Sequence, residues 1–286
     1  MSSQTNAVVA KIISSKDKLT FSENEIANFV MDNPDYIIQN TITSIAAEIG
    51  VSEASINRFC KKVGFKGFND FKIAIAQDTH YRNMNHKSKR REDIPFSDEL
   101  AFDYNDLITS TAALIDPEEI AKAAQAIAKA KNVYIFGVLS SWLAALELRQ
   151  KLDLIGIKSF AYNDTYNMKL SGSMCTGGDV VIAITRSGLV REIVDSLSLA
   201  SQSEATVITL TSYNSTSVTQ YADIKIIASD KLSVRNSAFL SEHITFLYVI
   251  DLIFAALVKS DSRYMKRKLS SEAIIESSQF WNNEYL

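Results

Sequence analysis

From Asn132 onward, short unbroken apolar runs alternate with helix-length amphipathic stretches, and few architectures accept that rhythm. Residues 133–136 form one apolar run closed by Gly137, and residues 142–155 carry a helical stripe. Residues 158–162 read as a second strand and 168–175 as a helix. Residues 179–185 are a strongly apolar third strand, followed after Ser187-Gly188 by a helix over 190–202. Residues 206–211 and 223–227 supply strands four and five. Strands that are apolar throughout, rather than at every second position, predict a parallel sheet covered by helices on both faces. The expected fold class is therefore α/β, with a five-stranded parallel sheet in an αβα sandwich.

The chain ahead of that pattern is helical in character. Residues 20–32 read as a helix, with Thr20 and Glu23 spaced as a capping box and Ile26, Phe29 and Val30 on one face. Asn33-Pro34 ends it, because the residue before proline avoids the helical region. Ile42, Ile45, Ala46 and Ile49 form the next stripe, and Gly50 stands where a left-handed C-terminal residue is wanted. Ser52 can cap a following helix whose inward face is Ile56, Phe59, Cys60 and Val63. Two short helices joined through one glycine form a helix-turn-helix, here the core of an all-helical N-terminal domain.

With Ile56 at the core centre, helical periodicity turns Ala54, Arg58 and Lys61 outward, flanked by Ser55, Asn57 and Lys62. Arginine can bond guanine and asparagine adenine in a major groove, while lysine and serine suit phosphates. Ser52, Ser55, Asn57, Arg58, Lys61, Lys62 and Lys66 are the candidate DNA-facing residues, and no carboxylate lies between Ala54 and Asn69. The charge distribution agrees: residues 1–91 hold 13 Lys and Arg against 9 Asp and Glu, leaving 17 against 24 in the remainder. A cationic front half in a chain of net charge −3 fits a polyanionic partner at that end. The competing view is an ordinary helical hairpin with a solvated basic face.

Composition removes other classes. A 47% apolar, 22% charged chain has a real core and is neither disordered nor fibrous. Its two cysteines, Cys60 and Cys175, have no metal-ligand spacing, so a reducing compartment with no metal and no cofactor is expected. The longest apolar stretch, residues 244–258, spans 15 residues around Asp251, short of the roughly 18 a membrane helix needs. No signal-peptide layout opens the chain, and a cytoplasmic protein is expected. Residues 79–98 are polar, hold the basic cluster 87–91 and end near Pro95, so a linker is expected there.

Ligands of doubly wound sheets sit at the C-terminal strand ends where strand order reverses. After strand one the chain reads Gly137-Val-Leu-Ser-Ser-Trp142, and after strand three Thr185-Arg-Ser-Gly-Leu-Val-Arg-Glu192. Both bring hydroxyls to a helix start, where unpaired N–H groups and the positive helix end favour an anion. Simple helix capping by serine is the alternative.

These residues bear a family likeness. Leu19-Thr-Phe-Ser-Glu-Asn-Glu-Ile-Ala, Val51-Ser-Glu-Ala-Ser-Ile-Asn-Arg-Phe-Cys and Gly64-Phe-Lys-Gly-Phe-Asn-Asp-Phe-Lys72 closely resemble RpiR-family bacterial transcription regulators. The C-terminal half resembles the flavodoxin-like sugar isomerase (SIS) domain that those regulators carry. The resemblance implies a homodimeric or homotetrameric regulator that binds a double-stranded DNA operator and senses a sugar phosphate or related sugar of carbohydrate metabolism. It implies domains at 1–78 (helix-turn-helix), 79–98 (linker), 99–260 (SIS, with leading helices) and 261–286 (C-terminal helix). Ser140, Ser141, Thr185, Ser187 and Gly188 would line the effector pocket, with Glu192, Glu242 and His243 nearby. Four positions depart from the pattern: Leu139 replaces a glycine, Val190 replaces a hydroxyl donor, and Glu242-His243 replaces a Ser-Arg pair.

Two other functions compete. A sugar-phosphate isomerase would use Glu192 or His243 as general base; a solvated helix carboxylate and a helix-surface histidine are the plainer explanations, and no catalytic residue is assigned. A regulator whose SIS domain only assembles the oligomer is the second alternative. Residues 244–258 and 100–114 could then supply the interface, although packing in the domain core is the commoner explanation for both.

Overall fold

A computed structural model describes residues 7–86 and 95–280 of the chain. The backbone separates into two compact units. The first comprises Met1–Ile115, Ser212–Ser215 and Ile227–Thr245, and the second Asp116–Thr211, Thr216–Ile226 and Phe246–Leu286.

The first unit contains α1 (Ala7–Ser14), α2 (Phe21–Asp32), α3 (Pro34–Gln39), α4 (Ile42–Ile49), α5 (Glu53–Lys62), α6 (Phe68–His86) and α7 (Phe96–Leu114). The Thr20/Glu23 capping box forms as expected, with Thr20 N donating to Glu23 Oε2 at 2.8 Å and Glu23 N to Thr20 Oγ1 at 3.4 Å. Gly50 ends α4 in the left-handed conformation, φ 77°, and Ser52 caps α5. The core gathers Ile26, Val30, Ile45, Ile56, Phe59, Phe65 and Phe71. Phe71 meets Phe59 and Phe65 edge-on at 5.8 and 5.1 Å between ring centres. Each such side chain, fully buried, stabilises the unit by roughly 1.5–3 kcal/mol.

Helix α1 is an addition to the expected plan. Val8, Ile12 and Ile13 are buried, α1 packs on α6 and α7, and Val8 N donates to the buried Asp78 carboxylate on α6 at 3.0 Å. The expected linker is also revised at both ends. Helix α6 runs on to His86 and α7 begins at Phe96, while residues 87–94, with the whole basic cluster, lie outside the described residues. Polarity reports exposure rather than backbone conformation, and a polar run can extend a helix anchored in its earlier turns. Residues 99–115 group with the N-terminal helices rather than with the sheet. Asp103 of α7 accepts from Asn236 N at 3.0 Å, Thr111 accepts from Ser229 N at 3.2 Å, and Phe96 meets Phe239 edge-on.

The second unit is a five-stranded parallel sheet in the order β2-β1-β3-β4-β5. It follows α8 (Pro117–Lys129) and is built from β1 (Val133–Gly137), α9 (Ser140–Leu154), β2 (Ser159–Tyr162), α10 (Thr165–Met174), β3 (Val180–Ile184), α11 (Arg191–Gln202), β4 (Thr206–Thr211) and β5 (Ile224–Ile227). Helices α12 (Ile244–Ser260) and α13 (Ser262–Phe280) close the described chain. Central strand β3 is buried at every position, as its unbroken apolar run requires. Right-handed crossovers put α9 on one face and α10 and α11, which pack together, on the other. Leu107 of α7 and Val249, Ile250, Ile253 and Leu257 of α12 are buried, so these two apolar segments serve as core.

Candidate functional site

The chain leaves β1 toward β2 and leaves β3 toward β4, so the connections diverge between two adjacent strands, with Gly137 in register with Ile184. In doubly wound sheets such a divergence marks the ligand crevice at the C-terminal edge of the sheet, and here residues 138–140 and 185–190 stand on its two sides. Helices α9 and α11 both begin there.

Neither helix has a side-chain cap. Leu139 precedes α9 and Val190 precedes α11, and neither side chain bonds a first-turn N–H. By contrast α2, α4, α5, α8 and α10 are capped by Thr20, Thr41, Ser52, Asp116 and Asp164. In these first turns Ser141, Trp142 and Ile193 N donate to the carbonyls of Val138, Leu139 and Val190 at 3.1 Å, while the positive end of each helix dipole still favours an anion.

The two walls are built differently. Gly188 holds φ +64°, and a Cβ added there would stand 2.1 Å from Thr216 Oγ1, so only glycine fits. Its carbonyl accepts from Val218 N at 3.1 Å, and Arg186 O accepts from Thr211 Oγ1 at 3.0 Å. On the other wall Gly137 lets α9 close onto β1, since a Cβ would lie 2.8 Å from Ser141 O. Leu139 then adopts φ 53°, ψ −128°, the backbone of a glycine, with its side chain 90% exposed. Such a conformation costs a residue other than glycine roughly 1–3 kcal/mol. The leucine thus keeps the glycine path of the loop and adds an isobutyl group to it.

The expected effector residues separate by depth. Ser141 and Thr185 are buried beneath the loops, whereas Ser140 and Ser187 are half-buried; Ser187 Oγ accepts from Leu189 N at 3.3 Å. Glu192 is exposed on the first turn of α11. Glu242 and His243 belong to the first unit, where Glu242 pairs with Lys231 at 3.4 Å. Burial pushes the thiols of Cys60 and Cys175 up to about 12, which leaves both protonated and unreactive at neutral pH. Among the described residues no group of three or more His, Cys, Asp or Glu could hold a metal, and no helix is long and apolar enough to cross a membrane.

On the helix-turn-helix, α5 exposes Ala54, Arg58 and Lys61, as the periodicity required. Ser52 Oγ accepts from Ser55 N at 3.1 Å, and Ser55 Oγ accepts from Arg58 Nη2 at 3.1 Å, which orients the guanidinium along the helix. Two expected DNA-facing side chains have structural partners. Asn57 Oδ1 accepts from Phe68 N at 3.1 Å, tying α5 to the start of α6. Lys62 pairs with Glu23 at 2.6 Å. Burial raises the Glu23 pKa, but Lys62 and the Thr20 hydrogen bonds outweigh it and hold the carboxyl below its usual value. Lys66 is exposed and borders a surface cleft of about 430 Å3 with Ile42, Asn57, Gly67, Phe68, Asn69 and Asp70.

Comparison with known proteins fits this two-part plan. An RpiR-family helix-turn-helix domain matches residues 6–81, and a SIS domain matches residues 126–256. An uncharacterised HTH-type transcriptional regulator of Caldanaerobacter subterraneus subsp. tengcongensis is 30% identical, over 96% of this chain and 99% of its own. One from Haemophilus influenzae is 30% identical over 89% and 91%. Among solved structures, the Vibrio vulnificus NanR protein complexed with ManNAc-6P shares the fold with a TM-score of 0.60 and 23% identity, over 94% of this chain and 98% of that one. With both domains matched in order and a relative 30% identical along nearly its whole length, the chain belongs to the RpiR family of HTH-type transcriptional regulators with a C-terminal SIS domain.

Proposed function

We propose that α5 reads a double-stranded DNA operator and that a sugar phosphate or related sugar, bound in the crevice between residues 138–140 and 185–190, changes that affinity. The observation that carries the effector half is the pair of uncapped helix starts, α9 and α11, meeting where strand order reverses. Ser140, Ser187 and the loop N–H groups are the donors, with Ser141, Thr185 and Gly188 shaping the walls. NanR, of like fold, was solved with ManNAc-6P, which supports a phosphosugar. Regulation follows if the ligand binds one DNA-competence state better than the other. Genes of carbohydrate metabolism are the expected targets.

Arg58 and Ser55 are the DNA-reading set, with Ser52, Lys61 and Lys66 on phosphates and Asn57 and Lys62 mainly bracing the motif. Arg58→Ala should lower specific operator affinity by about 1–3 kcal/mol in fluorescence anisotropy, relaxing the base preference at one position. Unchanged specificity would remove Arg58 from this role. A melting series with sugar phosphates and their unphosphorylated forms tests the crevice, because a native-state ligand must raise the midpoint.

A homodimer or homotetramer is part of the reading. Tyr166, Leu170 and Met174 form one exposed apolar row along α10, 74%, 43% and 69% accessible. Leu170→Asp should lower the mass seen by light scattering. No catalytic residue is assigned: Glu192 is an exposed first-turn carboxylate and Glu242 is ion-paired. Aldose–ketose exchange on the same sugar phosphates would restore the isomerase reading.

A further inference from the structure

Helix α13 is seated on the end of α9 along one side. Arg267 Nη1 donates to Ile155 O at 3.3 Å, and Ser271 Oγ donates to Leu154 O at 3.1 Å. At roughly 3.6 residues per turn, Met265, Leu269 and Ala273 centre on the opposite side, half a turn away. Met265 is 45% exposed and Leu269 58% exposed, and Ala273 is exposed as well. Their spacing of four residues makes them one apolar row rather than scattered surface positions.

Two charges flank that row and have no ion-pair partner among the described residues, Lys266 near its start and Glu276 beyond its end. The neighbouring charges are engaged: Arg263 pairs with Asp261, Lys268 pairs with Glu272, and Arg267 holds α9. Lys266 and Glu276 stand ten residues apart, about 15 Å along the axis, so they do not meet within the helix. Between two helices they can. An antiparallel copy related by a two-fold axis beside residue 271 brings Lys266 of each helix to Glu276 of the other and sets Leu269 opposite Ala273. A parallel pairing would instead oppose like charges. The pattern is self-complementary, as a two-fold interface requires.

We propose that α13 is a subunit interface, in which two copies of this chain pack their Met265, Leu269 and Ala273 rows antiparallel and pair Lys266 with Glu276 reciprocally across the axis. The proposal rests on the oligomer reading above and names a face separate from the α10 row. The apolar row supplies the attraction, whereas two exposed ion pairs add little stability and set register and direction. Two different self-complementary faces on one chain, α10 and α13, close into a tetramer built as a dimer of dimers.

Sedimentation equilibrium of the full-length protein tests this with charge reversals. Lys266→Glu places carboxylates opposite each other at both ends of the interface. It should raise the subunit dissociation constant at least about tenfold and halve the mass on dilution. Glu276→Lys should do the same. The double variant Lys266→Glu/Glu276→Lys restores both pairs and should recover the wild-type mass. An equimolar mixture of the two single variants should recover it too, because each chain then offers the charge that the other lacks, a repair that a folding defect would not allow. Wild-type mass in both single variants and in Leu269→Asp would overturn the proposal, and so would a double variant or a mixture that stays dissociated. Mass lost in Lys266→Glu but kept in Leu170→Asp would support this face and remove the α10 one. A wild type that is monomeric at every concentration would overturn the oligomer reading as a whole.

Discussion

Leu139 and Gly188 occupy corresponding places, each in a loop that carries the chain from a strand end into a helix, and each with positive φ. Only the space around them differs. Thr216 fills the volume beside Gly188, so a side chain there collides as well as straining the backbone. At 139 the side chain stands in solvent, and the penalty is torsional alone. The second wall is thus fixed by packing, while the first is free to vary in chemistry at a modest cost in stability. A site with one invariable wall and one adjustable wall can keep its anion donors and change what else it admits.

Substitutions can separate these two kinds of constraint. Gly188→Ala should have the largest effect, a destabilisation of about 2–4 kcal/mol in urea melts, since torsion and overlap act together. A loss no larger than that of Gly50→Ala would show that Thr216 moves aside freely. Gly50→Ala imposes the same torsional demand, φ 77°, with nothing within 4 Å of the new methyl, and should lose only about 1 kcal/mol. Leu139→Gly should run the other way. Strain relief, less the entropy of a new glycine, leaves a gain of order 1 kcal/mol, whereas Leu139→Ala gains nothing because alanine stays strained. A Leu139→Gly protein less stable than wild type would mean that the leucine packs on something.

The smallest effect concerns charge. The folded-state pKa of Glu23 lies below its usual 4.5, so its contribution is complete above 4.5 and is lost as pH falls through the folded value. The stability gap between wild type and Glu23→Gln should be constant near neutrality and close below pH 4.5. A gap that persisted in acid would show that shape rather than charge matters at this position.

Local signals were the legible ones. The Thr20/Glu23 box, Gly50, the outward turn of Arg58 and Lys61, and the five strands each depend on neighbours within a turn or a strand, and each stands as read. Long-range partners were not legible. Asn57 carries the chemistry of a base reader, yet its oxygen is taken by an N–H 11 residues away. Helix α1 is not legible from its own residues, because its apolar run meets a surface supplied by α6, some 70 residues on, where Asp78 accepts from Val8 N. The substitution at Leu139 suggests a changed loop, but the fold around Gly137 and Ser141 imposes the glycine path on whatever residue stands there.

The Lys62–Glu23 pair has a consequence for how salt would act on operator binding. Each phosphate neutralised by a free cation releases condensed counterions, and affinity falls with salt at a log–log slope of about −0.9 per contact. Lys62 already has its counter-charge within the chain at 2.6 Å, so its approach to DNA releases an ion from the duplex only by surrendering one internally. With Lys61 and Lys66 as the phosphate-facing lysines that have no carboxylate partner among the described residues, the motif should contribute a slope of about −1.8 rather than the roughly −2.7 that a count of three lysines implies. The carboxylate of Glu23 would thereby make operator occupancy less sensitive to the ionic composition of the cell than the basic residues alone suggest.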